Sequence, residues 1–231
     1  MSLFVTVLLL SNLLSSAKII DLGVSLGPIP LIFDAGTLVF PISYIFGDIL
    51  TEVYGYRRSR RVIWVGFLAT ALMALFIWLA GVLPGDSLWL SNYGQEGADF
   101  NQRAFNAILG GIPGLIVASL AAYFLGEFSN SYVLARMKVL SQGGRVWMRT
   151  IGSTLVGQAV DTVVFVGIAT LLGVFQSDQV LSLILTNYIF KVGIEVLLTP
   201  LTLHVIALLK RYENEDYFDY QTDFNPFRID V

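Results

Sequence analysis

The chain has 231 residues, of which 55% are hydrophobic and 13% charged, with a formal net charge of −3 and a mean hydropathy of +0.72. Soluble globular domains carry about 25% charged residues, so this composition belongs with membrane proteins. A single His and no Cys exclude a disulfide framework and a thiolate metal site.

A bilayer crossing needs about 20 mostly apolar residues. Six segments qualify, roughly Leu3 to Ile20, Ile32 to Tyr54, Val62 to Leu83, Ala104 to Phe128, Ile151 to Phe175 and Val180 to Leu209. The first has no basic leader and no small-residue cleavage site, and more spans follow it, so it reads as a membrane helix and not a cleaved signal. Basic residues gather in alternate connections: Arg57, Arg58, Arg60 and Arg61, then Arg136, Lys138, Arg145 and Arg149, then Lys210 and Arg211. The other connections are nearly free of Lys and Arg, and the positive-inside rule places the basic ones in the cytoplasm. The expected fold is an all-α integral membrane protein with six transmembrane helices and both termini cytoplasmic. Its domains are a transport unit over 1–211 and an acidic, aromatic tail over 212–231. The tail is expected to be solvated or loosely docked, with a regulatory or lid role as the lesser alternative.

An ionisable residue deep in a span usually faces the bundle interior and a partner. In the first span Asn12 is central, while Lys18 and Asp21 lie near the outer end, where Lys18 can snorkel. In the second, Asp34 and Thr37 come first, and Tyr44, Asp48 and Glu52 then form a stripe at intervals of four. Glu52 lies within a turn of the cytoplasmic face, where Arg57 or Arg58 can pair with it. Asp48 and Glu52 read as an inner gate or ion-pair latch, against plain topological support or a coupling-ion site. "GPIP" and "GGIPG" open the second and fourth spans, and Gly47-Asp48 is echoed by Gly126-Glu127, a faint parallel repeat.

In the fifth span Gln158, Asp161 and Thr162 share a face, with Asp161 about 18 Å from Arg149 along the axis. A structural pair with a Lys on another helix is the alternative to a functional Asp161. In the sixth span Asn187, Lys191 and Glu195 form one polar stripe, within which Lys191 and Glu195 can partly neutralise each other. Thr199-Pro200 is expected to kink that helix or free its carbonyls. His204 reads as a hydrogen-bonded spacer. There is no P-loop, no H-E-x-x-H and no serine nucleophile elbow. No catalytic residue, metal site or cofactor is expected, and the chain is read as a non-enzyme.

"FPISYIFGDILTEVYGYRRSRRVIW" resembles the vitamin uptake transporter family, better described as the queuosine precursor transporters. "GQAVDTVVF", "NYIFKVGIEVLLTP", Asn12 and Lys18 are similar to the same family's other blocks, and the resemblance covers nearly all six spans but not the tail. It implies import of 7-deazaguanine bases across the bacterial inner membrane by a secondary carrier. The alternative is the substrate-binding subunit of an energy-coupling factor importer. The implied partners are a small purine-like substrate and the lipid bilayer, with no nucleic acid and with room for a homodimer. Such a base offers two parallel N–H donors beside a carbonyl. A carboxylate can accept both donors, while Lys, Gln or Asn donates to the carbonyl. The substrate-binding candidates are Asn12, Phe40, Tyr44, Gln158, Asp161, Asn187, Lys191 and Glu195. Phe40, Tyr44 and Phe165 are candidates to stack on the ring. Asp48, Glu52 and Arg57 are the candidate gate.

Overall fold

The computed structural model describes residues 2–26, 29–90, 99–110, 113–173, 175, 177–178 and 180–228. It is a helical bundle with one hairpin at its edge. Helix α1 (Ser2–Ala17) leads into an antiparallel hairpin, β1 (Ile19–Leu26) and β2 (Ile29–Asp34), followed by a 3₁₀ turn at Ala35–Leu38. Then come α2 (Phe40–Tyr54), α3 (Tyr56–Val82), the short α4 (Ser87–Leu90) and α5 (Phe100–Phe105), and a π turn at Asn106–Gly110. The long helices α6 (Pro113–Leu140), α7 (Val146–Leu171) and α8 (Val180–Glu213) complete the chain.

Among the described residues, three helices are long and apolar enough to cross a bilayer: α3, α7 and α8. A shorter apolar stretch covers Ser2–Ser15. The outer faces of α3 and α8 are greasy. Leu68, Leu72, Phe76 and Trp78 of α3 and Leu181, Ile189, Leu197 and Leu201 of α8 are exposed. The interior holds Asp48, Glu52, Glu127, Arg149, Asp161, Lys191 and Glu195, all buried. Apolar outside and charged inside is the pattern of a chain solvated by lipid.

Two spans differ from expectation in shape. The second was expected to be helical from Ile32, but its helix begins only at Phe40, and at 15 residues α2 is about 22 Å long. Ile29–Asp34 is a strand instead, and Asp34 ends it by accepting from the Thr37 backbone N–H at 3.1 Å, capping the 3₁₀ turn. Pro41, in the first turn of α2, needs no amide partner there. The fourth span is α5, the π turn and α6 in succession, and α6 continues well past Phe128 to Leu140. The expected repeat does not extend to the helix entrances: Pro30 lies in a strand, whereas Pro113 opens a helix. Gly27, Pro28, Gly111 and Ile112 of the two matching motifs lie outside the described residues.

α6 and α7 approach closely because glycines line their seam. A Cβ on Gly157 would sit 2.7 Å from the Asn130 Cβ, and one on Gly126 would sit 2.8 Å from the Asp161 Cβ. Small residues allow such approach where apolar burial alone does not drive helices together. Pro200 is accommodated within α8 without ending it, and the Thr199 hydroxyl donates to the Glu195 carbonyl at 2.9 Å.

The tail corrects the expectation of a solvated or loosely docked segment. Gly55, at φ 82°, breaks the chain between α2 and α3 and lies against the Tyr217 ring. Asp219 accepts from the Tyr56 backbone N–H at 3.0 Å, satisfying an orphan donor at the start of α3 from far along the chain. Tyr217 donates its backbone N–H to the Val53 carbonyl at 3.0 Å. Arg60 donates to the carbonyls of Asp223 and Asn225, and Trp64 to that of Pro226 at 2.8 Å. Phe224 and Phe227 join an aromatic cluster with Tyr56, Trp64, Phe124 and Tyr132.

Candidate functional site

Three polar layers stack along the bundle axis, from the hairpin end to the Gly55 end. The layer nearest the hairpin surrounds a small cleft between α1, the 3₁₀ turn, α2, α6, α7 and α8. Asp161 of α7 and Lys191 of α8 form its charged wall, with Lys191 Nζ donating to Asp161 Oδ2 at 2.8 Å. The same ammonium lies 4.4 Å from the centre of the Phe40 ring. Opposite, Ser119 donates to Asn12 Oδ1, and Asn12 Nδ2 donates to the Leu8 carbonyl at 2.9 Å. Asp34 accepts from Ser15 at 2.5 Å and from the Thr37 hydroxyl at 3.0 Å. Thr37 reaches Asn187 Oδ1 at 3.5 Å. Phe165 closes one side. The cavity is about 30 Å³, room for one or two waters.

The second layer is fully interior. Gln158 donates to Glu195 Oε1 at 2.9 Å, and Asn130 donates to Asp48 Oδ1 at 2.7 Å. Tyr44 lies between α6 and α7, in contact with the positions of Gly126 and Gly157, and its ring is 5.3 Å from that of Phe40. Glu127 lies against Gly47 of α2.

The third layer is an ion cluster centred on Glu52. Arg149 clamps its carboxylate with two bonds, Nε to Oε2 at 2.7 Å and Nη2 to Oε1 at 2.6 Å, and Lys210 adds a contact at 2.5 Å. Lys138 lies 3.6 Å away and donates to the Glu52 carbonyl at 2.5 Å. Asp216 of the tail accepts from Lys138 at 2.6 Å and pairs with Lys210 at 2.8 Å. Three cations thus share two carboxylates, and the ends of α2, α6, α7, α8 and the tail meet at one point. Burial opposes the charged form of Asp216, but the hydrogen bonds from Lys138 and Lys210 outweigh it and hold this carboxyl below its ordinary range.

The expected substrate residues therefore divide. Asn12, Phe40, Asp161 and Lys191 line the cleft, and Asn187 adjoins it through Thr37. Tyr44, Gln158 and Glu195 sit one layer deeper. Asp161 has a lysine partner on another helix, the structural alternative stated for it above. Lys191 bonds to Asp161, not Glu195. The expected pairing of Glu52 with Arg57 or Arg58 is corrected, because its carboxylate points across to α7 and α8. Arg58, beyond the Gly55 break, meets Glu215 at 3.4 Å, and Arg57 lines a groove with Tyr217 and Asp223 of the tail. Asp48 joins Asn130, not the arginine loop. Sequence reasoning did not place Asp34, Ser119 or Asn130 at the site. Glu127 and Asn130, three apart in an apolar helix, carried a face signal that could have flagged them.

The family profile described as "Putative vitamin uptake transporter" matches residues 34–205. The chain is 27% identical over 182 residues to the "Probable queuosine precursor transporter" of Bacillus subtilis, covering 78% of this chain and 73% of that protein. It is 24% identical over 163 residues to the "Queuosine precursor transporter" of Escherichia coli, covering 70% of this chain and 66% of that one. A third relative, the "Probable queuosine precursor transporter" of Haemophilus influenzae, is 26% identical over 166 residues, 71% of this chain and 63% of its own length. No solved structure shows significant similarity to the chain. With the match running from Asp34 at the cleft to Val205 on α8, the chain belongs to the vitamin uptake transporter family, multi-pass membrane transporters and not enzymes.

Proposed function

We propose that the protein imports queuosine precursors, 7-deazaguanine bases such as 7-cyano- and 7-aminomethyl-7-deazaguanine, across the bacterial inner membrane as a secondary carrier. The cargo class is supported by the names of three relatives, each a queuosine precursor transporter or probable one. Six crossings with both termini in the cytoplasm agree with the charge distribution: Arg57, Arg58, Arg60, Arg61, Arg136, Lys138, Arg145, Arg149, Lys210 and Arg211 all fall at the Gly55 end of the bundle.

The observation that carries the mechanism is the Asp161–Lys191 pair at the wall of a small cleft. A buried ion pair costs desolvation energy that packing alone does not require. Here it presents an acceptor and a donor beside the Phe40 ring, the set that a flat base with adjacent N–H and carbonyl groups needs. A cavity of about 30 Å³ is too small for a bicyclic base, so the cleft must widen to admit one, as the hairpin and α1 part from α7 and α8. At the opposite end the Glu52 cluster and the docked tail act as the cytoplasmic seal. Asp48 then belongs to the interior layer, not to that seal.

The test is uptake of labelled 7-cyano-7-deazaguanine by cells that lack both their own transporter and any energy-coupling ATPase module. Accumulation there supports a self-sufficient carrier. Uptake only after the module is supplied identifies a substrate-binding subunit. No uptake with either, from protein present in the membrane, refutes the assigned cargo.

A further inference from the structure

The middle layer holds buried polar groups without partners, most of them acceptors: the Glu127, Asn130, Gln158 and Glu195 oxygens, with the Tyr44 hydroxyl beside them. Glu127 is 0% exposed, and among the described residues neither of its carboxylate oxygens has a hydrogen-bond partner. Gln158 and Asn130 are also 0% exposed, and their side-chain oxygens are likewise unpartnered, each amide having spent an N–H on a neighbouring carboxylate. Around Glu127, α2 presents Tyr44 and Asp48, α7 presents Asp161, and α8 presents Glu195. On α6 itself Tyr123 is one turn away, its hydroxyl donating to the Ile63 carbonyl of α3 at 3.1 Å. The nearby cations are committed elsewhere, Lys191 to Asp161 and Arg149, Lys138 and Lys210 to Glu52.

What fills such a site must be a donor and must be small. A Cβ placed on Gly47 would sit 3.0 and 3.1 Å from the two Glu127 oxygens, so the α2 backbone lies directly against the carboxyl group. Among the described residues no group of three or more His, Cys, Asp or Glu is arranged to hold a metal ion. An ionised carboxylate here would be charged, dehydrated and unpaired, a state that burial strongly disfavours. The neutral Tyr44 hydroxyl can offer at most one hydrogen bond and leaves the charge in place, whereas a proton on the carboxylate removes it.

We propose that Glu127 is a proton-binding site, and that the proton closes the α2–α6 seam at Gly47. The proton comes from solvent onto one carboxylate oxygen and returns to solvent when it leaves, with no other bond changed. Once lost, the carboxylate draws water between α2 and α6 and parts them. In a carrier this is where a proton gradient would act on helix packing. That last clause rests on the transport function proposed above; the site itself does not.

The experiment is infrared difference spectroscopy of the full chain in lipid nanodiscs, titrated in pH without substrate. Wild type is expected to show the C=O stretch of a protonated carboxylic acid at neutral pH, and Glu127→Gln to lack it while melting no lower than wild type. Gly47→Ala is the independent variant: its methyl group pries the seam open, so the same band should titrate at lower pH. Spectra in which wild type and Glu127→Gln share the band would overturn the proposal. If Glu127→Gln does not fold, a Gly47→Ala band that titrates as in wild type overturns it instead. Because no base is present, protein that shows the Glu127 band but binds no 7-deazaguanine keeps the site and loses the cargo. Protein that binds the base without the band keeps the cargo and loses the site.

Discussion

Replacing Glu52 by Gln tests the ion cluster at the Gly55 end. The side chain keeps its size but loses the charge that faces Arg149 at 2.6 Å and Lys210 at 2.5 Å. Three cations are then left with Asp216, which is half exposed and reaches only the two lysines. Arg149 is fully buried and keeps the Gly144 carbonyl at 2.5 Å and the Ser141 hydroxyl at 3.4 Å, both neutral. Breaking a buried pair by removing one partner costs about 3–5 kcal/mol. For a chain of this size that lowers Tm by about 6–20 °C. The assay is thermal unfolding in detergent for wild type, Glu52→Gln, Arg149→Gln and the double variant. If the pair is the centre of the cluster, the double variant loses much less than the sum of the singles. A single-variant loss under about 1 kcal/mol, or full additivity, would refute it, because exposed pairs behave that way.

Deleting residues 214–231 should lower stability by several kcal/mol, since it strips Tyr56, Arg60, Trp64 and Lys138 of their tail partners; thermal unfolding of the truncated chain checks it. The Asp161→Asn and Lys191→Met variants should each lose about 3–5 kcal/mol while the double variant comes close to wild type, as a double-mutant cycle would show. Asp216 has a depressed folded-state value, so its contribution is complete above the unfolded carboxylate range, near pH 4, and disappears as pH falls through the folded value. The Tm gap between wild type and Asp216→Asn should therefore be constant from pH 7 to about 5 and shrink below about 4. A gap that widens on acidification would reverse the assignment.

The polar stripe of α8 was legible because Asn187, Lys191 and Glu195 recur every four residues in an apolar helix, and helix geometry puts such residues on one face. The partners were not legible. Whether Lys191 turns to Glu195 on its own helix or to Asp161 on α7 is decided by how α7 and α8 pack, which the stripe on one helix does not carry. The tail was misjudged for a different reason. Four of its contacts run through the backbone carbonyls of Asp223, Phe224, Asn225 and Pro226, which leave no side-chain signature. The hairpin spans the expected end of the first span, the connection and the start of the second, because its apolar residues satisfy a membrane window as well as a strand.

Cargo and site are tested together by equilibrium binding of 7-cyano- and 7-aminomethyl-7-deazaguanine to purified protein, with Asp161→Asn and Glu195→Gln beside wild type. Wild type should bind and Asp161→Asn, whose folded state is verified separately, should lose binding, because that carboxylate lines the cleft. Glu195→Gln should bind more weakly to a smaller degree, since Glu195 lies one layer deeper behind Gln158. Undiminished binding in Asp161→Asn would contradict the assigned site, and absence of binding by folded wild type would contradict the assigned cargo.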